Sequence, residues 1–310
     1  MVERLGFKKE AHFKESLFIR GEWVDDAVYA ILEKEWANHK KEEERMEIKP
    51  ININDISELS PLQPDGWYDI VPHIEFYMKS SFCFPIKVIS NNEIAGVGSV
   101  IVHDDVAWFA HIIVRSDYRC RGIGLQIVQT LVEIAKENNC STTYLIATDL
   151  GEPVYKKVGF VVETEYLVYK NVVKKEYAIS DSIYPYEEKY KEHIIALDRN
   201  VSGESRMMHL EEHLANCKIY KQNDELEGYY IPTLGEGLII ANSEIAGIEL
   251  LKLHLKQSER VVIPKNNNAA QTFLEETGFG EMNVIKRMRL GEERNVQFAK
   301  IYNRIGGNVG

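Results

Sequence analysis

The sequence predicts an α/β fold with a repeated module, on three observations. From Trp108 to Tyr169, strand-like apolar runs alternate with helical runs. The dipeptide Gly-Phe occurs at Gly6-Phe7, Gly159-Phe160 and Gly278-Phe279, as tandem copies of one module would place it. A length of 310 residues fits two domains.

Bulk properties narrow the class. A hydrophobic share of 45% and a charged share of 27% are those of a globular protein. No apolar run reaches the length of a membrane span, and Met1 to Glu10 has no signal-peptide core. Cys83, Cys120, Cys140 and Cys217 lack metal-type spacing, so they read as free thiols of a reducing cytoplasm, with no metal site expected. A net charge of −11 argues against a general nucleic-acid binder.

The elements follow in order. His12 to Ile19 and Trp23 to Leu32 are strand-like, and Arg20-Gly21 between them suits a hairpin turn. The charged tract Asn38 to Arg45 reads as a helix end or linker. After the loop Pro61 to Trp67, Tyr68 to Ser80 is helical. Ile86–Ser90, Ile94–His103 and Val106–Val114 are strands turned at Asn91-Asn92 and Asp104-Asp105. A helix spans Leu125 to Lys136 and a strand Thr142 to Ala147. A short helix ends at Gly159, and a strand runs from Val161 to Tyr169. Beyond Glu176, helical runs Tyr186–Asp198 and Ser205–Ala215 precede strands near Cys217–Gln222, Leu226–Tyr230 and Gly237–Ile240. Then come a helix Ile245–Leu255, strands Arg260–Ile263 and Val284–Arg289, and a tail to Gly310.

The stretch Arg119-Cys120-Arg121-Gly122-Ile123-Gly124 joins a strand to a helix. A helix start offers unpaired N–H groups and the positive end of its dipole. Glycines let an anion approach the backbone, and arginines add charge. Two readings stand at this level, a phosphate cradle and a plain tight turn. No Gly-Lys-Ser/Thr follows and no Gly-x-Gly-x-x-Gly is present, so nucleotide-hydrolase and dinucleotide loops do not fit.

The Arg/Gly turn, the following helix and strand, and Ala147-Thr148-Asp149-Leu150-Gly151-Glu152-Pro153-Val154-Tyr155-Lys156-Lys157-Val158-Gly159-Phe160 together resemble the GNAT superfamily of acetyl-CoA-dependent N-acetyltransferases over about Met46 to Lys170. The resemblance implies a mixed, mostly antiparallel sheet flanked by helices. It implies one full domain over 46–174 and a degenerate GNAT-like domain over 175–310, whose Arg287-Met288-Arg289-Leu290-Gly291 resembles the second module of tandem GNAT proteins. Residues 1–45 resemble the C-terminal tail of a ribosomal-protein N-terminal acetyltransferase followed by a linker. That fragment carries Phe13, Leu17, Ile19, Val24, Val28 and Ile31. It is expected to be dispensable for cofactor binding, and to add its hairpin to a sheet edge of this chain or of a second copy in a homo-oligomer.

The resemblance also implies roles. Acetyl-CoA is the cosubstrate, and Arg119, Arg121, Gly122, Ile123, Gly124 and Leu125 wrap its pyrophosphate. Ile113 and Val114 offer backbone groups to pantetheine. Tyr155 matches the family's general acid, against the alternative of an aromatic packed before the Gly-Phe turn. His111 is the one titratable side chain on Trp108–Val114. It is a candidate general base, with a hydrogen-bonded core His or a water chain as alternatives. Trp67, Tyr68, Asp69 and His73 fall where the family builds its acceptor site, and Trp67 and Tyr68 also suit helix anchoring. Asp149 suits either substrate binding or a helix cap.

Aligned on Gly-Phe, the C-terminal copy has Leu274 where the first has Tyr155. It has Ala241-Asn242-Ser243-Glu244 where the first has the Arg/Gly turn. It is therefore expected to be non-catalytic. The function expected is acetyl transfer to a primary amine, small-molecule or amino-acid α-amine, by direct attack. The competing reading is a non-catalytic acyl-CoA-binding sensor or regulatory module.

Overall fold

The computed structural model describes residues 7–35, 46–64, 66–170 and 176–310. Gly6, the tract Asn38–Arg45 and Asp65 of the loop before Trp67 lie outside them. The chain forms two compact units: residues 1–80, 84–98 and 112–127 in one, and 81–83, 99–111 and 128–310 in the other.

The first unit opens with a hairpin of β1 (Lys8–Ile19) and β2 (Glu22–Ala30). Arg20 at φ 53° and Gly21 at φ 92° make its turn with two left-handed residues, which matches the twist of the strands. The two strands form a sheet by themselves and extend no other sheet among the described residues, so the expected docking on a sheet edge of this chain does not occur. The edge is unsuited to it. The register shifts between Phe13 and Leu17, and there Glu15 turns left-handed with its N–H on Asp25 Oδ1 at 3.0 Å. Phe18 and Trp23 stack 5.2 Å apart and stay 61% and 62% exposed.

The same unit holds β3 (Glu47–Pro50), α1 (Val71–Lys79) and most of β4 (Cys83–Ser90). Strands β5 (Glu93–His103) and β6 (Val106–Val114) and helix α2 (Ile123–Glu137) run through both units. The sheet order here is β3-β4-β5-β6. Asn91, Asn92 and Asp104 all have positive φ, so both turns form where short polar side chains tolerate left-handed backbone. Asp55, held in a capping box with Asn52, pairs with the buried Lys87 ammonium. Gly96 of β5 lies under the start of α2, where a Cβ would stand 2.9 Å from Ile113 O and 3.0 Å from Ile127 Cδ1.

The second unit adds β7 (Thr142–Ala147), α3 (Glu152–Val158), β8 (Val161–Lys170), β9 (Ile183–Pro185), α4 (Lys191–Ser202) and α5 (Met207–Leu210). It continues through β10 (Lys218–Gln222), β11 (Glu225–Ile231), β12 (Leu238–Ala241) and α6 (Glu244–Leu255). It closes with β13 (Arg260–Pro264), α7 (Asn268–Glu276), β14 (Gly280–Gly291) and β15 (Ile301–Asn303). One sheet runs β13-β8-β14-β7-β6-β5 and another β15-β12-β11-β10-β9. The stretch read as a helix from Ser205 to Ala215 is α5 followed by a 3-10 turn, Glu211–Asn216. The segment read as a tail after Arg289 holds β15, and Tyr302, Asn303 and Ile305 are almost wholly buried.

The two repeats interleave. β8 follows the first Gly-Phe and β14 the second. β14 pairs antiparallel with β7 on one side (Lys286↔Ala147) and with β8 on the other (Val284↔Leu167), while β13 takes the far edge of β8 (Val262↔Val168). Each repeat's last strand is thus flanked by strands of the other, and the 174/175 boundary divides the sequence copies rather than the sheet.

A polar cluster lies inside the second unit. Trp108 Nε1 donates to Glu204 Oε2 at 2.7 Å, and His103 Nδ1 stands 2.9 Å from the same oxygen. His103 Nε2 and His209 Nε2 are 2.9 Å apart, so one ring nitrogen carries the shared proton. The Arg287 guanidinium lies 3.9 Å from the Tyr144 ring centre, with Nε 2.7 Å from Glu163 Oε2. Such groups persist in a core only when paired.

Burial, with the charges of His103 and Arg206, pushes His209 from 6.5 down to about 3. A depressed folded-state pKa gives stability that is present above the unfolded value and lost as pH falls through 6.5 toward 3. Urea midpoints should therefore hold near pH 8 and fall between about pH 6 and 4. His209→Gln should flatten that acid limb, and a limb of unchanged slope would remove His209 as its cause.

Candidate functional site

At the start of α2 the chain leaves donors unpaired. The first N–H to reach back is Gln126, which donates to Gly122 O at 3.1 Å, so the amides of Gly122 to Leu125 have no intrahelical acceptor. Gly122 is left-handed at φ 85°, and a Cβ there would meet nothing within 4 Å. At Gly124 an added Cβ would touch only Val114 Cγ2, at 3.6 Å. The surface above both glycines is open. Arg119 and Arg121 are exposed beside it. Arg119 Nε donates to Val114 O at 3.1 Å, and Arg121 donates to Asp117 O at 3.0 Å with its guanidinium over the Tyr118 ring. Arg115, held by Glu93 and Asp117 at 2.7 Å each, fixes the chain leading into this turn. Open amides, a helix dipole and two guanidiniums with spare donors fit a pyrophosphate. Ile113 is buried and Val114 half-buried at the strand end before the turn.

Tyr155 sits on α3, in the second unit. Its ring lies against Gly151, where a Cβ would come within 2.7 Å of it. Phe160 stands 6.1 Å away and in turn packs on Phe109 at 5.8 Å. Gly159, left-handed at φ 107°, ends the helix and turns Phe160 back under Tyr155. The hydroxyl has no hydrogen-bond partner among the described residues. Burial pushes the phenol up to about 12, so it stays protonated across the physiological range.

In the same unit, β6 and β7 run parallel and pair from Val106↔Thr142 to Phe109↔Leu145. Two residues past the last pair stands His111, at φ 49°. Left-handed backbone is uncommon inside a strand and marks a locally constrained position. His111 is half-buried.

Tyr68 is 92% and Trp67 46% exposed on a loop held by Gln63, whose amide bonds Trp67 O (3.2 Å), Tyr68 O (3.1 Å) and Ile70 N (3.1 Å). At that exposure Tyr68 does not anchor the helix by packing. Asp69 Oδ1 accepts from Val71 N at 2.9 Å, at the start of α1. His73 is exposed, and partial desolvation lowers its pKa. Asp149 is exposed, and the cap on this turn comes from Thr148 Oγ1, 3.2 Å from Gly151 N. Sequence reasoning missed Gly151 and Gly96, which seat Tyr155 and α2. The signal for Gly96 was a glycine inside an unbroken apolar strand, a mark of close backbone approach.

The open surface at Gly122 yields a test. Gly122→Glu adds a side chain into free space and a carboxylate beside the anion seat. The left-handed backbone costs about 1–2 kcal/mol of stability. Affinity for CoA by calorimetry should drop more than about tenfold, with thermal unfolding still cooperative. Unchanged affinity would mean that the turn holds no phosphate.

Comparison with known proteins agrees with this geometry. Residues 49–160 match the acetyltransferase (GNAT) family, and residues 194–303 match an acetyltransferase (GNAT) domain. No curated protein matches the chain. Among solved structures, a candidate acetyltransferase of Pyrococcus horikoshii superposes with a TM-score of 0.73 at 19% identity, covering 86% of this chain and 96% of that one. A GCN5-related N-acetyltransferase from Sphaerobacter thermophilus gives a TM-score of 0.58 at 11% identity, over 83% of this chain and 98% of its own. One from Anabaena variabilis gives 0.53 at 13%, over 79% and 72%. At these identities the structures support the fold, and the two sequence matches support the family. The chain belongs to the GNAT family of acetyltransferases, with two family domains in tandem.

Proposed function

We propose that this chain moves an acetyl group from acetyl-CoA to a primary amine, by direct attack, and that residues 46–174 supply the chemistry. The observation that carries the reading is the Arg119–Leu125 turn, where open amides and two guanidiniums meet at an unobstructed helix start. When bound, acetyl-CoA supplies an acyl carbon activated as a thioester.

The residues divide the work. The amides of Gly122, Ile123, Gly124 and Leu125, with Arg119 and Arg121, hold the pyrophosphate. Backbone groups of Ile113 and Val114 orient the pantetheine arm. His111 takes a proton from the incoming ammonium, directly or through water, so that nitrogen has a free pair for the acyl carbon. As the C–N bond forms and the C–S bond breaks, Tyr155 O–H donates its proton to the departing sulfur and is reprotonated from solvent. Trp67 and Tyr68 offer exposed ring faces to a cationic amine, and Asp69 and Asp149 offer carboxylates. The C-terminal repeat has a structural role. Cys83, Cys120, Cys140 and Cys217 form no disulfide, which suits a reducing cytoplasm.

Release of free thiol from acetyl-CoA in the presence of a pooled set of small amines and amino acids tests the reading. Turnover with at least one amine is expected, and binding of acetyl-CoA without turnover across the pool would favour the sensor reading. Tyr155→Phe should lower kcat by about 10²–10⁴-fold and leave KM for acetyl-CoA within a few-fold. Because the phenol is pushed up to about 12, the wild-type rate should show no loss from its ionisation below about pH 10.

A further inference from the structure

The helix that carries Tyr155 meets β14, a strand of the second sequence copy, at both of its ends. β14 runs antiparallel to β7, with Lys286 opposite Ala147 and Leu290 opposite Thr143. Just past the end of β7, Glu152 opens α3. Lys286 Nζ donates to Glu152 Oε2 at 2.7 Å. At the far end of α3, a Cβ on Gly159 would stand 3.5 Å from Leu290 Cδ1.

We propose that Lys286 is a positioning residue for acetyl transfer, resting on the general-acid role proposed above for Tyr155. Through Glu152 it fixes α3 against the sheet, and so the place from which the Tyr155 hydroxyl gives up its proton.

The helix needs such a tether. α3 has only seven residues, too few to hold its own geometry, and no side chain caps its start at Gly151. The ring of Tyr155 is held by Gly151 and Phe160, contacts that fill space without setting a direction. Glu152 lies three residues before Tyr155, so the two side chains are neighbours on the helix surface. The Glu152 side chain is only 13% exposed and is held from two directions. Lys156 Nζ stands 2.7 Å from Oε1, but it belongs to α3 and moves with it. Lys286 belongs to β14, and ties the same carboxylate to the sheet. The hydrogen bond to Glu152, with Asp149 and Glu165 nearby, raises the Lys286 pKa, so this tether stays charged at neutral pH.

An ion pair with one partner this exposed contributes little to stability. The reacting geometry is less forgiving, since a displacement of about 1 Å can cost about 10²-fold in rate. The second sequence copy thereby acts on the chemistry without holding a reacting group of its own.

The test compares Lys286→Met, which keeps the apolar stem, with Lys286→Arg, which keeps the charge. Fluorotyrosine in place of Tyr155 gives a fluorine resonance that reports the surroundings of the ring without any turnover. Lys286→Met should shift or split that resonance, and Lys286→Arg should restore it. The same probe in place of Tyr229, which is buried against Asp198 in the same unit, should not move. In turnover, Lys286→Met should lower kcat about tenfold with KM for acetyl-CoA within a few-fold. It should cost nothing more in a Tyr155→Phe background. An unmoved resonance at residue 155, a resonance that moves equally at residue 229, or a kcat loss that persists in full on Tyr155→Phe would overturn the proposal. An unchanged kcat in Tyr155→Phe itself would overturn the general-acid role, and the proposal with it.

Discussion

The position of β14 between β7 and β8 is the constraint on which the second unit depends. It brings Arg287 into the core at a point where Trp108, Tyr144 and Glu163 converge. A buried guanidinium is tolerable only with a carboxylate in reach and ring faces around it. Withdrawing β14 would leave Glu163 without that partner and open one ladder edge on each of β7 and β8. The interleaving also ties the first Gly-Phe turn, and with it the seat of Tyr155, to a strand that comes from the second sequence copy.

From similar parts the two repeats reach opposite outcomes. In the first, the amides at the start of α2 have no intrahelical acceptor, and no side-chain oxygen among the described residues is placed to cap them. In the second, Ser243 Oγ caps α6 by accepting from Ala246 N at 3.4 Å, and Glu244 places a carboxylate in the first turn. A helix start that satisfies its own donors and carries negative charge is a poor anion seat. Leu274, at the position matching Tyr155, is fully buried as part of the core, and β15 pairs with β12. The second repeat has turned each site-like feature toward packing.

Much of this was legible in the sequence, for reasons that can be named. The Asn91-Asn92 and Asp104-Asp105 turns, the strand Thr142–Ala147 and the left-handed Gly159 all rest on local chemistry, where one residue type tolerates one backbone shape. Pairing partners are a different matter. Periodicity marked a strand near Val284–Arg289, but nothing local says that it lies between β7 and β8 rather than beside β13. β15 was missed because three residues give no period, and Asn303 and Arg304 look like surface residues until their partners are known. In the N-terminal hairpin, Arg20-Gly21 revealed the turn, whereas the bulge at Glu15 that spoils its edge had no signal. The Arg/Gly turn was legible as chemistry. The left-handed backbone at His111 was not, since a single histidine inside an apolar strand run gives no local sign of it.

The central claim is that one repeat keeps an open seat for CoA and the other has closed its own. Isothermal titration of the full chain with CoA addresses it most directly. The account predicts a stoichiometry of one per chain, abolished by the combined Gly122→Glu and Gly124→Glu substitutions. Two equivalent sites, or one site that survives those substitutions, would contradict it.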